Sequence, residues 1–193
     1  MKLYPNQYYH IYNRTNNKEL LFRTNDNYGY FIKKYRYYMD EYLETIGYCL
    51  MPTHFHLLVK VKEIVENSSG TLSIDDYSLK LSLKIGALLN SYSQAYSKLW
   101  NRHGNLFTQK TKAKLIDDDR YLITLLVYIH QNPLRAGIVS KPEEWKYSSY
   151  LDYFDLRNGT LPHKELILSM INKEDFRVFS SRKINNIDPK YWI

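Results

Sequence analysis

Two histidines flanking one apolar residue and running into a β-branched, alternating stretch constrain this chain more than any other segment. The segment reads Met51-Pro52-Thr53-His54-Phe55-His56-Leu57-Leu58-Val59-Lys60-Val61. Successive side chains of a strand point to opposite faces, so His54 and His56 share one face while Phe55, Leu57, Val59 and Val61 share the other. The apolar row needs a core to pack against, and the imidazoles then point away from it. Two neutral imidazoles side by side on a rigid strand are half of a divalent-metal site. The same spacing also fits two surface histidines on a half-exposed strand, so other segments have to decide.

Around this strand the order of elements is β-α-β-β-α-β-α. A first strand is predicted over Tyr8 to Arg14. A helix capped by Asn25 or Asp26 follows, with Tyr28, Phe31, Ile32, Tyr35, Tyr38, Met39 and Tyr42 at helical spacing. A second strand over Thr45 to Met51 returns through Pro52-Thr53 into the histidine strand. The next helix is expected over Leu83 to Arg102, with Ile85, Leu88, Leu89, Tyr92, Tyr96, Leu99 and Trp100 on one stripe and Gly104 ending it. A short basic strand, Lys110 to Ile116, leads through Asp117-Asp118-Asp119 into a third helix, Arg120 to Asn132, stopped by Pro133. Glu66-Asn67-Ser68-Ser69-Gly70 is the loop-like stretch.

This order predicts an α+β, ferredoxin-like antiparallel sheet with helices packed on one face and the histidine face left open for a ligand. Residues 1–150 form one domain. Residues 151–193, where the pattern loosens around Pro162 and a helical stretch over His163 to Ile171, form a C-terminal appendage rather than a second domain.

Composition narrows the partners. A formal charge of +7 points toward a polyanion, most simply nucleic acid. The 20 tyrosines suit a base-contacting surface or an aromatic core equally. Cys49 is the sole cysteine, which excludes an internal disulfide and a cysteine-rich zinc site and fits a reducing cytosol. The first residues lack the apolar core of a signal peptide, and no apolar run approaches the ~20 residues that span a bilayer. A cytoplasmic protein without membrane contact is expected.

The third helix buries Leu122, Leu125, Leu126 and Ile129, a stripe of helical period. Tyr128 and Asn132 lie four residues apart on a neighbouring flank and face the same way, while His130 points elsewhere. With 20 tyrosines in the chain, position alone assigns Tyr128 no role.

Two motifs carry a family resemblance. Gly47-Tyr48-Cys49-Leu50-Met51-Pro52-Thr53-His54-Phe55-His56-Leu57-Leu58-Val59 resembles the signature of the single-tyrosine HUH transposases. Tyr128-Ile129-His130-Gln131-Asn132-Pro133-Leu134-Arg135-Ala136-Gly137 resembles the tyrosine motif of their REP-associated branch. Asn13-Arg14, Gly104-Asn105-Leu106-Phe107, Asp118-Asp119-Arg120-Tyr121 and Trp145-Lys146-Tyr147-Ser148-Ser149-Tyr150 add matches in the same order, over about residues 8 to 150.

The resemblance implies a Mg²⁺ or Mn²⁺ ion held by His54, His56 and a side-chain amide, here Asn132, with Tyr128 as nucleophile. It implies cleavage and strand transfer of single-stranded, hairpin-forming DNA through a 5′-phosphotyrosine. An ordinary phenol titrates near ~10 and needs help to attack, which a polarised phosphate supplies. The alternative is a domesticated nucleic-acid-binding protein of the same fold that no longer cleaves. The resemblance leaves monomer and homodimer open.

Candidate DNA contacts are Asn13 and Arg14 at the end of the first strand, and a phosphate track of Lys98, Arg102, Lys110, Lys112 and Lys114. His10 is a rival third metal ligand, set against a plain packed histidine. The Asp117-Asp118-Asp119 run reads best as the cap and first turn of the third helix.

Overall fold

The structure, a computed structural model, describes residues 1–63, 72–108 and 110–182; the Glu66–Gly70 stretch lies outside them. Four strands, β1 (Tyr8–Arg14), β2 (Leu43–Met51), β3 (His54–Val61) and β4 (Lys112–Ile116), form one antiparallel sheet in the order β2-β3-β1-β4. That is the expected ferredoxin-like α+β arrangement. Between the strands run α1 (Asn25–Met39) and α2 (Ile74–Leu99), followed after β4 by α3 (Asp119–Arg135). Three short helices complete the described chain: α4 (Tyr150–Tyr153), α5 (Glu165–Met170) and α6 (Lys173–Ser181).

The apolar row of the histidine strand behaves as its alternation predicts. Phe55, Leu57, Val59 and Val61 join Tyr9 and Ile11 of β1 in a core closed by Phe31 and Tyr35 of α1 and by Leu81, Ile85, Leu88 and Tyr92 of α2. Polar tips inside it find partners: the Tyr35 hydroxyl meets Thr45 Oγ1 at 2.7 Å, and Tyr92 Oη donates to Leu21 O at 2.7 Å.

Helix boundaries depart from the sequence reading in ways that caps and packing explain. Helix α1 is capped by Thr24, whose hydroxyl accepts from Asn27 N while Asn27 Oδ1 accepts from Thr24 N; Asn25 and Asp26 already lie inside it. Helix α2 starts nine residues before the expected Leu83. Ser73 caps it, Asp75 and Asp76 occupy the positive end of its dipole, and Tyr77 and Leu81 extend the buried stripe toward the N-terminus. It ends at Leu99, where Asn101 turns left-handed at φ 45° before Gly104 at φ 84°. Strand β4 begins at Lys112, two residues later than expected.

The histidine face is open over a smaller area than predicted. Helices α1 and α2 cover the far side, but α3 and the tail cover the β2 side of this one. Leu122, Leu125, Leu126 and Ile129 pack with Ile46, Met51 and Leu58, and Tyr153, Phe154, Ile167 and Phe176 from the tail complete that second core. The apolar stripe of α3 needs a sheet surface, and the first face is already filled. Close approach of α3 to β2 depends on Gly47, where a Cβ would collide with Leu126 Cδ1. Among the described residues no helix is long and apolar enough to cross a membrane.

Candidate metal centre and tyrosine helix

Strand pairing sets the surroundings of the two imidazoles. His54 lies opposite Arg14 of β1 and Met51 of β2, and His56 opposite Tyr12 and Cys49. The rings of His54 and His56 meet edge-on, 5.1 Å between centroids. His54 Nδ1 sits 3.0 Å from Thr53 Oγ1, which leaves Nε2 for another partner. His56 is fully buried, its Nδ1 3.0 Å from Nε2 of the equally buried His10, and its own Nε2 has no partner.

Burial keeps these rings unprotonated. It lowers His54 to about 4, with the Arg14 guanidinium adding to the effect, and holds His56 well below the ordinary range with help from His10 and His54. His10 falls to about 3 through burial and the Lys114 ammonium opposite. Neutral imidazoles are the ligand-competent form. Among the described residues no three His, Cys, Asp or Glu side chains converge into a metal cluster, so a cation at His54 and His56 needs a donor of another type. His10 packs against His56 instead of completing such a cluster.

Helix α3 carries the tyrosine on the same side of the sheet. Met51, the strand partner of His54, and Leu58, next after His56 on its face, share the core with Leu125, Leu126, Ile129 and the half-buried Tyr128. The Arg135 guanidinium lies 5.2 Å from the centre of the Tyr128 ring. Among the described residues, no hydrogen bond or ring contact joins Tyr128 or Asn132 to either histidine.

The helix does not stop at Pro133 as expected but runs on to Arg135, and the reason bears on the amide. Proline has no N–H to give the carbonyl four residues back. Asn132 Nδ2 donates there, to Ile129 O at 3.3 Å, and also to Tyr128 O at 3.0 Å. The carboxamide nitrogen is thereby tied to the helix, and Oδ1, the metal-competent atom, is the end left over. Past Arg135, Gly137 at φ 68° lets Ile138 N reach Pro133 O and closes the helix.

The residues between Tyr128 and Asn132 anchor rather than react. His130 Nε2 lies 2.7 Å from Ser149 Oγ, and Gln131 Nε2 donates to Ser180 O and Arg182 O, both at 2.8 Å. Helix α3 is thus clamped by the Ser148–Ser149 segment, which pairs with β2 at Tyr48 and Cys49, and by the tail. Nothing in the sequence pattern pointed to this clamp.

The expected phosphate track is divided among three surfaces. Arg14 and Lys112 are exposed on the histidine face, where Lys114 also lies, 5.8 Å from the Tyr12 ring centre. Among the described residues no carboxylate pairs with Arg14. Asn13 points the other way; its Nδ2 donates to Thr111 Oγ1, and with Arg102 and Lys110 it lines a polar groove of about 620 Å³ beside α2. Arg102 is engaged by Glu19 at 2.7 Å and by Gly104 O and Asn105 O, so it holds the loop together. Lys98 borders a separate hollow between α1 and α2.

Known proteins bear on this arrangement. The chain matches no protein-family model. It is 30% identical over 108 residues to a Haemophilus influenzae protein given the provisional name REP-associated tyrosine transposase, a stretch covering 55% of this chain and 58% of that protein. In fold it is similar to a REP-associated tyrosine transposase solved bound to a REP hairpin, with a TM-score of 0.54 and 16% identity over 82% of this chain and 84% of the other. A bacterial tRNA(His) guanylyltransferase-like protein in complex with GTP follows at 10% identity and a TM-score of 0.47 over 72% of this chain and 67% of the other, a likeness too distant to carry function. The sequence relative bears the name of the branch that the two motifs resemble, and the solved structure shares the fold of this chain, which spans 58% of that relative's length.

Proposed function

We propose that this chain cleaves and rejoins single-stranded or hairpin DNA, with Tyr128 as nucleophile and His54, His56 and Asn132 as ligands of Mg²⁺ or Mn²⁺. One observation carries the reading: the buried, neutral His56 has an unpartnered Nε2 beside His54, on the sheet face against which the tyrosine helix packs. Two imidazole nitrogens and one amide oxygen suit a divalent ion and leave positions for phosphate oxygens. When bound, such an ion polarises the scissile phosphate and fixes its orientation.

The remaining work falls to the chain's own groups. Arg14, Lys112 and Lys114 offer positive charge along the open part of the face, where a phosphate backbone neutralises them. Arg135, beside the phenol ring, adds a further positive charge for a phosphate brought to Tyr128. The Oη–phosphorus bond forms as the phosphorus–O3′ bond breaks, and the phenolic proton ends on the departing 3′-oxygen. One phosphoester replaces another, so no nucleotide cofactor is required, and attack by a different 3′-hydroxyl completes strand transfer. In this reading Asn132 Oδ1 would complete the ligand set and Tyr128 would face the bound phosphate.

Incubation with a hairpin oligonucleotide carrying a 5′ single-stranded extension tests the reading. Wild-type protein with Mg²⁺ or Mn²⁺ is expected to give a covalent protein–DNA conjugate mapped to Tyr128, and Tyr128→Phe none. Tight hairpin binding with no conjugate under either ion overturns nuclease activity in favour of a binding protein.

A further inference from the structure

His10 was the rival third ligand, yet the structure gives it a different relation to the site. Its Nε2 faces His56 Nδ1 at 3.0 Å, the two rings stack with centroids 5.2 Å apart, and both are fully buried. One proton lies between two such nitrogens, and its owner decides what the far side of His56 can do. If His10 donates, His56 carries its proton on Nε2, a buried N–H with no acceptor that repels a cation. If His56 donates through Nδ1, its Nε2 presents a bare lone pair. Both His56 Nε2 and His10 Nδ1 lack partners in this structure, so either arrangement leaves one buried N–H without an acceptor, and a cation at His56 Nε2 is compatible only with the second.

We propose that His10 is a positioning residue: it accepts the Nδ1 proton of His56 and so fixes the tautomer and ring orientation that aim His56 Nε2 at the cation. Imidazole ligands are commonly held this way through the nitrogen that does not bind metal. The inference rests on the reading of His54 and His56 as ligands. Adjacent strands supply both partners, because the β1–β3 register sets Tyr12 opposite His56 and His10 opposite Leu58, so the two histidines are diagonal neighbours on one face.

Long-range ¹H–¹⁵N correlation spectra of histidine-labelled, metal-free protein read the tautomer directly. The expected result is His56 protonated on Nδ1 in the wild type and in His10→Gln, whose side-chain oxygen accepts the same proton, and loss of that tautomer in His10→Leu. Titration with Mn²⁺ alone supplies the second readout. Affinity is expected to fall roughly 10–100-fold in His10→Leu, the usual effect of losing an outer partner, and to recover in His10→Gln. Thermal midpoints establish that both variants are folded; should His10→Leu fail to fold, the wild-type tautomer and His10→Gln still decide. A wild-type His56 protonated on Nε2, or unchanged Mn²⁺ affinity in folded His10→Leu, overturns the proposal. A wild type with the Nδ1 proton but no Mn²⁺ uptake instead overturns the cation reading, and the proposal with it.

Discussion

The two faces of the sheet are built to different standards. On the α1–α2 face, Phe31, Phe55, Tyr35 and Tyr92 interlock with their hydroxyls satisfied, Phe31 against Phe55 at 5.2 Å and against Tyr92 at 5.3 Å. On the histidine side, His10 Nδ1, His56 Nε2, His130 Nδ1 and Ser180 Oγ are buried without partners, against Trp100 Nε1 at the edge of the α1–α2 core. Unsatisfied buried polar atoms cost stability, and native proteins tolerate them where function needs them. The unpartnered imidazole nitrogens all lie on one side of the sheet.

Substitutions should separate the two. Phe31→Ala opens a cavity in a fully buried aromatic cluster and is expected to cost about 3–5 kcal/mol in denaturant unfolding. Gly47→Ala pushes a methyl group into Leu126 where α3 meets β2, costing about 1–3 kcal/mol. Because this shift moves the tyrosine helix, conjugate formation is expected to fall further than stability does. A Gly47→Ala protein with wild-type DNA conjugation would show that the closeness of α3 to β2 is irrelevant to the site.

The smallest effect at neutral pH is expected from replacing His10 and His56 together by Leu. Removing both partners of a buried hydrogen bond is close to neutral or stabilising. In acid the sign becomes visible. The native pKa values of His10 and His54 lie near 3 and 4, and that of His56 is also depressed, against an ordinary value of 6.5. As pH falls from about 6.5, the unfolded chain takes up protons that the native state refuses, so native stability is full above that pH and is lost progressively down to the folded values. The double variant lacks two of these groups and should lose stability less steeply between pH 6.5 and 4 in urea titrations. Equal slopes would mean that the imidazoles are not held neutral by burial.

Much of this contrast was legible in the residues. Alternation in β3 separated the imidazoles from the apolar row, and element order gave the sheet. Strand parity alone puts Asn13 and Arg14 on opposite faces, so the separation of these two candidate DNA contacts was already implicit there. The start of α2 was missed because Ser73 and Tyr77 follow a polar stretch that masks the helical period. The contact between His10 and His56 was not legible, since it depends on the β1–β3 register, a long-range property. Nor was the continuation through Pro133, which turns on one side-chain amide replacing a missing N–H.

The most direct test is anomalous diffraction at the manganese edge from crystals of the protein with Mn²⁺ and a hairpin oligonucleotide carrying the unreactive Tyr128→Phe substitution in the protein. The account predicts a single strong peak within coordination distance of His54 Nε2, His56 Nε2 and Asn132 Oδ1, with residue 128 facing the bound phosphate. Manganese elsewhere, or a peak at the imidazoles with α3 turned away from it, would contradict the union of the two motifs in one centre.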